Sequence, residues 1–145
     1  MTAAIQIEDA RSVLKKHGLR ATPQRIALAE LLFSSAQHVT PLSVYALLHP
    51  RFPSLSQNTV YLTLAQFEQK GLLRRLPISG CMLFDSRTEP HDHACCRLCG
   101  DVMDVSATSQ SIRSPAELNA WSIEHEARVW CGVCPRCEMQ RAEGS

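Results

Sequence analysis

The residues able to do chemistry in this 145-residue chain are two Cys-x-x-Cys pairs, Cys96/Cys99 and Cys134/Cys137, and a His-x-His at His91 and His93. A Cys-x-x-Cys turn lets two sulfurs reach one ion about 2.3 Å away, and two such turns complete a tetrahedron. Tetrahedral sulfur suits Zn²⁺ and leaves no open position, which makes the expected site a structural clamp. The 34 residues between the pairs exceed what a compact zinc ribbon uses, so the clamp would tie a later strand back to the middle of a domain. A thioredoxin-like redox pair is the alternative, but no βαβ pattern surrounds either motif. Cys131-x-x-Cys134 also has the spacing, so the register is open at this point. Cys131 shares the expected strand face of Val129 and reads as a buried apolar thiol.

His91 and His93 lie two apart in an extended segment and so share a face. Asp85 and Asp104 could approach that face. A mixed imidazole and carboxylate set suits Fe²⁺, Mn²⁺ or Zn²⁺. His38 sits in a loop between two helices of the first half. Were it to join the set, an ion would couple the two halves of the chain. A metallohydrolase built on His91, Asp92 and His93 would need a Glu or His base at motif spacing, and the sequence has none.

The elements that must position these groups change character along the chain. Residues 1–80 carry nine Lys/Arg against four acids, and residues 81–145 carry six Arg against ten acids. A basic half followed by an acidic half fits nucleic-acid binding and then cation binding. The odd cysteine count, seven, and the lack of an export signal favour metal ligation in a reducing compartment. With no apolar run long enough to cross a bilayer, the chain is expected to be cytoplasmic, with no membrane partner.

The periodicity predicts four helices in the basic half. They run over 7–17, over 23–33 after Thr22-Pro23, over a short segment after Thr40-Pro41, and over 57–70 capped by Ser54 or Ser56. Residues 72–78 and 81–85, joined around Ser79-Gly80, read as a β-hairpin. Helices followed by a hairpin outline a winged helix, whose last helix enters a major groove. In the acidic half, 94–96 and 102–105 read as strands flanking the first Cys turn, and 106–113 as a loop. The capping box Ser114-Pro115-Ala116-Glu117 opens a short helix. Residues 121–131 read as one strand, and the tail beyond Cys137 as frayed. The fold class is therefore α+β. We expect an N-terminal winged-helix DNA-binding domain over 1–84, and a small C-terminal metal-binding domain of short strands over 85–145.

From Leu19 to Cys137 the chain resembles the ferric uptake regulator family of metal-dependent bacterial repressors. The resemblance rests on Leu19-Arg20-Ala21-Thr22-Pro23-Gln24-Arg25, Asn58-Thr59-Val60-Tyr61, Gly71-Leu72, Asp85, His91-x-His93, Cys96-x-x-Cys99-Gly100 and Gly132-Val133-Cys134-Pro135-Arg136-Cys137. It implies that the domain over 85–145 is an α/β dimerisation domain, with structural zinc on Cys96, Cys99, Cys134 and Cys137. It also implies a regulatory Fe²⁺ or Mn²⁺ site of His38, Asp85, His91, His93 and Asp104, and a homodimer on a palindromic double-stranded DNA operator. No enzymatic activity is implied.

The resemblance further implies DNA contacts by Gln57, Asn58, Thr59 and Tyr61 on the fourth helix, with Tyr61 against a thymine methyl. Lys15, Arg20 and Arg25 would meet phosphates or a minor groove. Iron-sensing members usually carry Glu where Asp104 stands and Arg where Leu62 stands, so Asp104 resembles the peroxide-responsive branch. In that branch bound iron oxidises a His ligand of the kind at His38 or His91, and manganese gives a peroxide-insensitive repressor. An iron- or manganese-responsive uptake regulator is the alternative. A zinc uptake regulator fits less well, because Cys81 is displaced four residues from Asp85. A second metal site of some relatives would need a His at 126, where this chain has Glu126 beside His125. Outside the family, a zinc-clamped protein-interaction module lacks a reason for the basic helical half.

Overall fold

The structure, a computed structural model, describes residues 9–34, 38–78, 80–106, 115–124 and 126–144. The chain divides into two compact units, Met1–Thr88 and Glu89–Ser145.

Helices of the first unit begin where side chains can satisfy the orphan N–H groups. Helix α1 (Ala10–Lys16) starts at Asp9, whose carboxylate accepts the Arg11 N–H at 3.4 Å. Helix α2 is Pro23–Ser34, where the Thr22 hydroxyl accepts the Arg25 N–H at 3.4 Å. Helix α3 (Pro41–Leu48) opens with a reciprocal box. The Ser43 N–H donates to Thr40 Oγ1 at 3.1 Å, and the Thr40 N–H donates to Ser43 Oγ at 2.9 Å. Helix α4 (Gln57–Gln69) is capped by Ser56, not Ser54, through the Thr59 N–H at 3.1 Å. Gly71 follows it at φ +77°, a left-handed conformation that costs glycine nothing. Ser56→Ala should destabilise the first unit by about 1 kcal/mol, seen as a lower urea midpoint at unchanged slope.

The apolar faces of these helices close on Leu14, Leu32, Val44, Val60, Leu64 and Phe67, all buried with Leu73 and Phe84. The hairpin is shorter than the sequence suggested. Strands β1 (Arg74–Arg75) and β2 (Phe84–Asp85) pair antiparallel, Arg74 with Asp85 and Arg75 with Phe84. Pro77 has no N–H to extend the ladder, while Leu76 and Leu83 are buried. Of the expected turn, Ser79 lies outside the described residues and Gly80 takes φ +76°. Val39 bridges β2: its N–H donates to the Phe84 carbonyl at 2.9 Å, and the Phe84 N–H returns the bond at 2.8 Å.

The second unit is a three-stranded sheet of order β4-β3-β5, from β3 (Asp92–Cys96), β4 (Val102–Val105) and β5 (Val129–Gly132). Strand β4 is antiparallel to β3 and β5 is parallel to it. Three expectations are corrected here. The strand expected over 121–131 is confined to Val129–Gly132, because β5 meets β3 only from His93 onward. Cys131 is exposed, not a buried thiol, since it lies on an edge strand. The tail after Cys137 is not frayed but belongs to helix α5 (Pro135–Glu143). Pro135 at its first position, Glu138 in its first turn and Arg141 in its last suit the helix dipole.

The capping box yields only a 3₁₀ turn, Ala116–Leu118, with no side-chain cap. Ser114 and residues 107–113 of the expected loop lie outside the described residues, as does His125. Among the described residues, those buried in this unit are His93, Cys96 and Cys137. No helix among the described residues is long and apolar enough to cross a membrane.

Candidate metal centres and nucleic-acid interface

Parallel pairing of β5 with β3 delivers the second sulfur pair to the first. The register sets Cys96 opposite Gly132, so the chain enters α5 beside the Cys96–Cys99 turn. There the Cys96, Cys99, Cys134 and Cys137 sulfurs all lie within 4.8 Å of one another. Cys99 Sγ and Cys134 Sγ are 3.8 Å apart, about the edge of a tetrahedron of sulfurs 2.3 Å from a central zinc. The donor set and its spacing fit Zn²⁺.

The four sulfurs are not alike. Backbone N–H groups at Cys99 and at Cys134, the latter 3.3 Å from Cys96 Sγ, pull the Cys96 thiol down to about 6. The hydrogen bond with the Cys134 sulfur, followed by burial, pushes Cys137 up to about 12. Zinc must therefore displace a proton that Cys137 keeps throughout the neutral range, whereas Cys96 has already lost its own above about 6. Proton release means affinity climbs with pH. Competition titrations should show zinc affinity rising at least about tenfold per pH unit from roughly pH 6 to 9, and more steeply below 6.

Sequence reasoning missed one feature of this centre. Arg136, between the two cysteines of the second pair, reaches Asp101 Oδ2 at 2.7 Å. The Cys99 sulfur, then Asp101, hold its guanidinium more firmly protonated. The signal was present as Cys134-Pro135-Arg136-Cys137: a fixed cation inside a motif that gathers negative sulfur.

The His and Asp residues form one group within each unit. In the first unit, the Val39–Phe84 bridge sets the preceding His38 against the following Asp85, with His38 Nε2 3.7 Å from Asp85 Oδ2. Asp85 is 2 % exposed, and its Oδ1 accepts the Arg87 N–H at 2.8 Å. In the second unit, the β3–β4 register sets His93 opposite Asp104. His91 Nε2 and His93 Nε2 lie 3.4 and 3.6 Å from the same oxygen, Asp104 Oδ1. His91 Nδ1 is 2.7 Å from the Glu89 carbonyl and donates to it, which turns Nε2 towards the carboxylate. Two imidazole nitrogens and one carboxylate oxygen this close together form a donor set that one cation could share. The donor chemistry fits Fe²⁺, Mn²⁺ or Zn²⁺.

On α4, Gln57, Asn58, Thr59 and Tyr61 are exposed, as are Lys15 and Arg20. Thr59, and the half-buried Arg25 on α2, carry local duties as well. The Thr59 hydroxyl is 2.8 Å from Ser56 Oγ at the cap. Arg25 donates to Gln66 Oε1 at 2.7 Å and to the Arg20 carbonyl at 3.3 Å, tying α2 to the open face of α4. Leu62 is 51 % exposed beside Tyr61, so it does not turn inward to pack.

The model of the ferric uptake regulator family matches residues 16–127. The peroxide operon regulator of Bacillus subtilis (strain 168) is 33 % identical over 141 residues, covering 95 % of this chain and 97 % of that protein. Among solved structures, the Vibrio cholerae ferric uptake regulator, which has DNA-binding domains, superposes with a TM-score of 0.70 at 25 % identity, covering 87 % of this chain and all of that one. The ferric uptake regulator of Pseudomonas aeruginosa, solved with manganese, gives 0.67 at 25 % identity over 88 % of this chain and 99 % of that one.

Proposed function

Because this chain belongs to the ferric uptake regulator family, we propose that it is a metal-dependent transcriptional repressor that senses peroxide. In this reading it is a cytoplasmic homodimer on a palindromic DNA operator, a regulator and not an enzyme. Gln57, Asn58, Thr59 and Tyr61 read the groove, while Lys15, Arg20 and Arg25 meet the backbone. Helix α4 supports this: its capped N-terminus points exposed side chains and spare N–H groups outward. The second unit is the dimerisation unit. Met103 and Trp130 flank Ala94 on one row of its sheet, and both are exposed along with Trp121 and Ile123, apolar surface that a partner protomer would cover.

Cys96, Cys99, Cys134 and Cys137 hold structural Zn²⁺, and His38, Asp85, His91, His93 and Asp104 hold the regulatory ion. The observation that carries the regulatory site is the convergence of His91 and His93 on Asp104, with the Glu89 carbonyl fixing the tautomer. Iron held there would supply the redox chemistry for peroxide to oxidise a histidine ligand, and manganese would not. The chain's own part is to draw ligands from both units. Ligands held together in this way would favour the arrangement that fits DNA, and losing one of them would withdraw that bias.

Asp104 and the Bacillus relative favour peroxide as the signal. An iron- or manganese-responsive uptake regulator is the second reading, favoured by the Vibrio and Pseudomonas structures. Peptide mass spectrometry of the Fe²⁺-loaded protein before and after H₂O₂ decides between them. A gain of one oxygen on the His38 or His91 peptide is expected. Unmodified ligands in a protein whose DNA binding still follows Fe²⁺ or Mn²⁺ would replace peroxide sensing with uptake control.

A further inference from the structure

The parallel register of β3 and β5 puts two cysteines outside the zinc set on one rung, Cys95 opposite Cys131. Paired strands lie about 4.8 Å apart, and partners on a parallel ladder leave the sheet on the same face. That separation falls within the span of about 4.4–6.8 Å between the Cα atoms of a disulfide. Cys131 is exposed and Cys95 half-buried, so a small oxidant has access.

We propose that Cys95 and Cys131 form a second oxidisable site, a dithiol that hydrogen peroxide converts to an intramolecular disulfide without the regulatory ion. One sulfur attacks a peroxide oxygen; the O–O bond breaks, water leaves and that cysteine becomes a sulfenic acid. The other sulfur then displaces the oxygen as a second water, and the S–S bond forms. Two thiols are oxidised and one peroxide is reduced to two waters. Side chains leaving adjacent strands in parallel keep close to the strand spacing, wider than the roughly 3.5–4.5 Å between Cβ atoms of a relaxed disulfide. The bond therefore draws the strands together and is readily reduced, as reversible disulfides are.

Its place gives the bond consequence. Cys95 lies on the face of His93, two residues along the same strand, while its neighbour Cys96 points to the opposite face and the zinc centre. The bond would tighten the sheet between the sensor histidine and the clamp. Oxidant strong enough to close it would thus act on a repressor whose regulatory ion is inert to peroxide.

The test uses the full chain with zinc and Mn²⁺ bound. It is treated with H₂O₂, blocked with N-ethylmaleimide, digested without reductant and sequenced by fragmentation. The expected result is a Cys95–Cys131 cross-link lighter by two hydrogens, absent before peroxide and lost on adding dithiothreitol. Cys131→Ser should abolish it while zinc content is unchanged, and Cys95→Ser should do the same. The inference is overturned if both thiols are alkylated equally before and after peroxide, or if Cys95 links instead to a zinc cysteine. Histidine oxidation in the Fe²⁺-loaded protein is read on separate peptides, so that either result can fail alone.

Discussion

Cys137→Ser is expected to abolish zinc retention and unfold the second unit while the first stays folded. The reason lies in what each unit buries. The first has its own apolar core, from Leu14 through Phe67 to Phe84. The described residues of the second bury only His93, Cys96 and Cys137, and two of those belong to the four-sulfur cluster proposed to hold zinc. Structural zinc contributes on the order of 10–16 kcal/mol in small zinc domains, as much as the whole stability of a typical domain. No apolar core remains there to replace it. Metal analysis should find zinc gone. Hydrogen exchange should show the amides of β3 and β5 unprotected, with those of Val60 and Phe67 still slow. A zinc-free variant with β3 and β5 fully protected would mean that other contacts hold the sheet.

The second large effect is expected at the sensor. His93→Ala should cancel the gain in DNA affinity that Mn²⁺ confers, from a factor of about 5–150, the usual range of allosteric coupling, to about one. His93 is buried, opposite Asp104 in the register, with Nε2 3.6 Å from the shared carboxylate oxygen. Removing it leaves Asp104 with a single imidazole in this unit. Zinc content should be unchanged, because the His93 side chain leaves β3 on the face opposite Cys96. Fluorescence anisotropy on operator DNA, with and without Mn²⁺, measures the factor. A full Mn²⁺ response in this variant would remove His93 from the regulatory set.

Much of this was legible in the chain, because each legible part is a local signal. Thr40-Pro41, Ser56 and Gly71 mark helix ends through backbone hydrogen bonding that depends on near neighbours. The Cys-x-x-Cys pairs work the same way: two residues between ligands is itself a geometry. The errors arose where a distant partner decides. Trp121 to Cys131 alternates like a strand, but β3 offers a ladder only from His93, and alternation cannot reveal where a neighbour begins. Cys131 was misread for the same reason, since an edge position is a property of the sheet. The tail after Cys137 read as frayed for want of apolar residues, yet Cys134 and Cys137 anchor a helix there. The pairing of Val39 with Phe84, which sets His38 beside Asp85, joins residues far apart in sequence and has no local signature.

The parallel pairing of β3 with β5 also fixes an order of manufacture. Each strand of that pair must wait for the other, and β5 leaves the ribosome long after β3 and β4 have emerged. The first unit, whose helices pack on near neighbours, can settle while the second is still a hairpin short of a strand and short of two sulfurs. If those sulfurs hold zinc as proposed, the ion would enter as a late assembly step. On the proposed assignment, a cell starved of zinc would accumulate chains with a finished first unit and an unfinished second, so the supply of a structural metal would govern how much repressor exists.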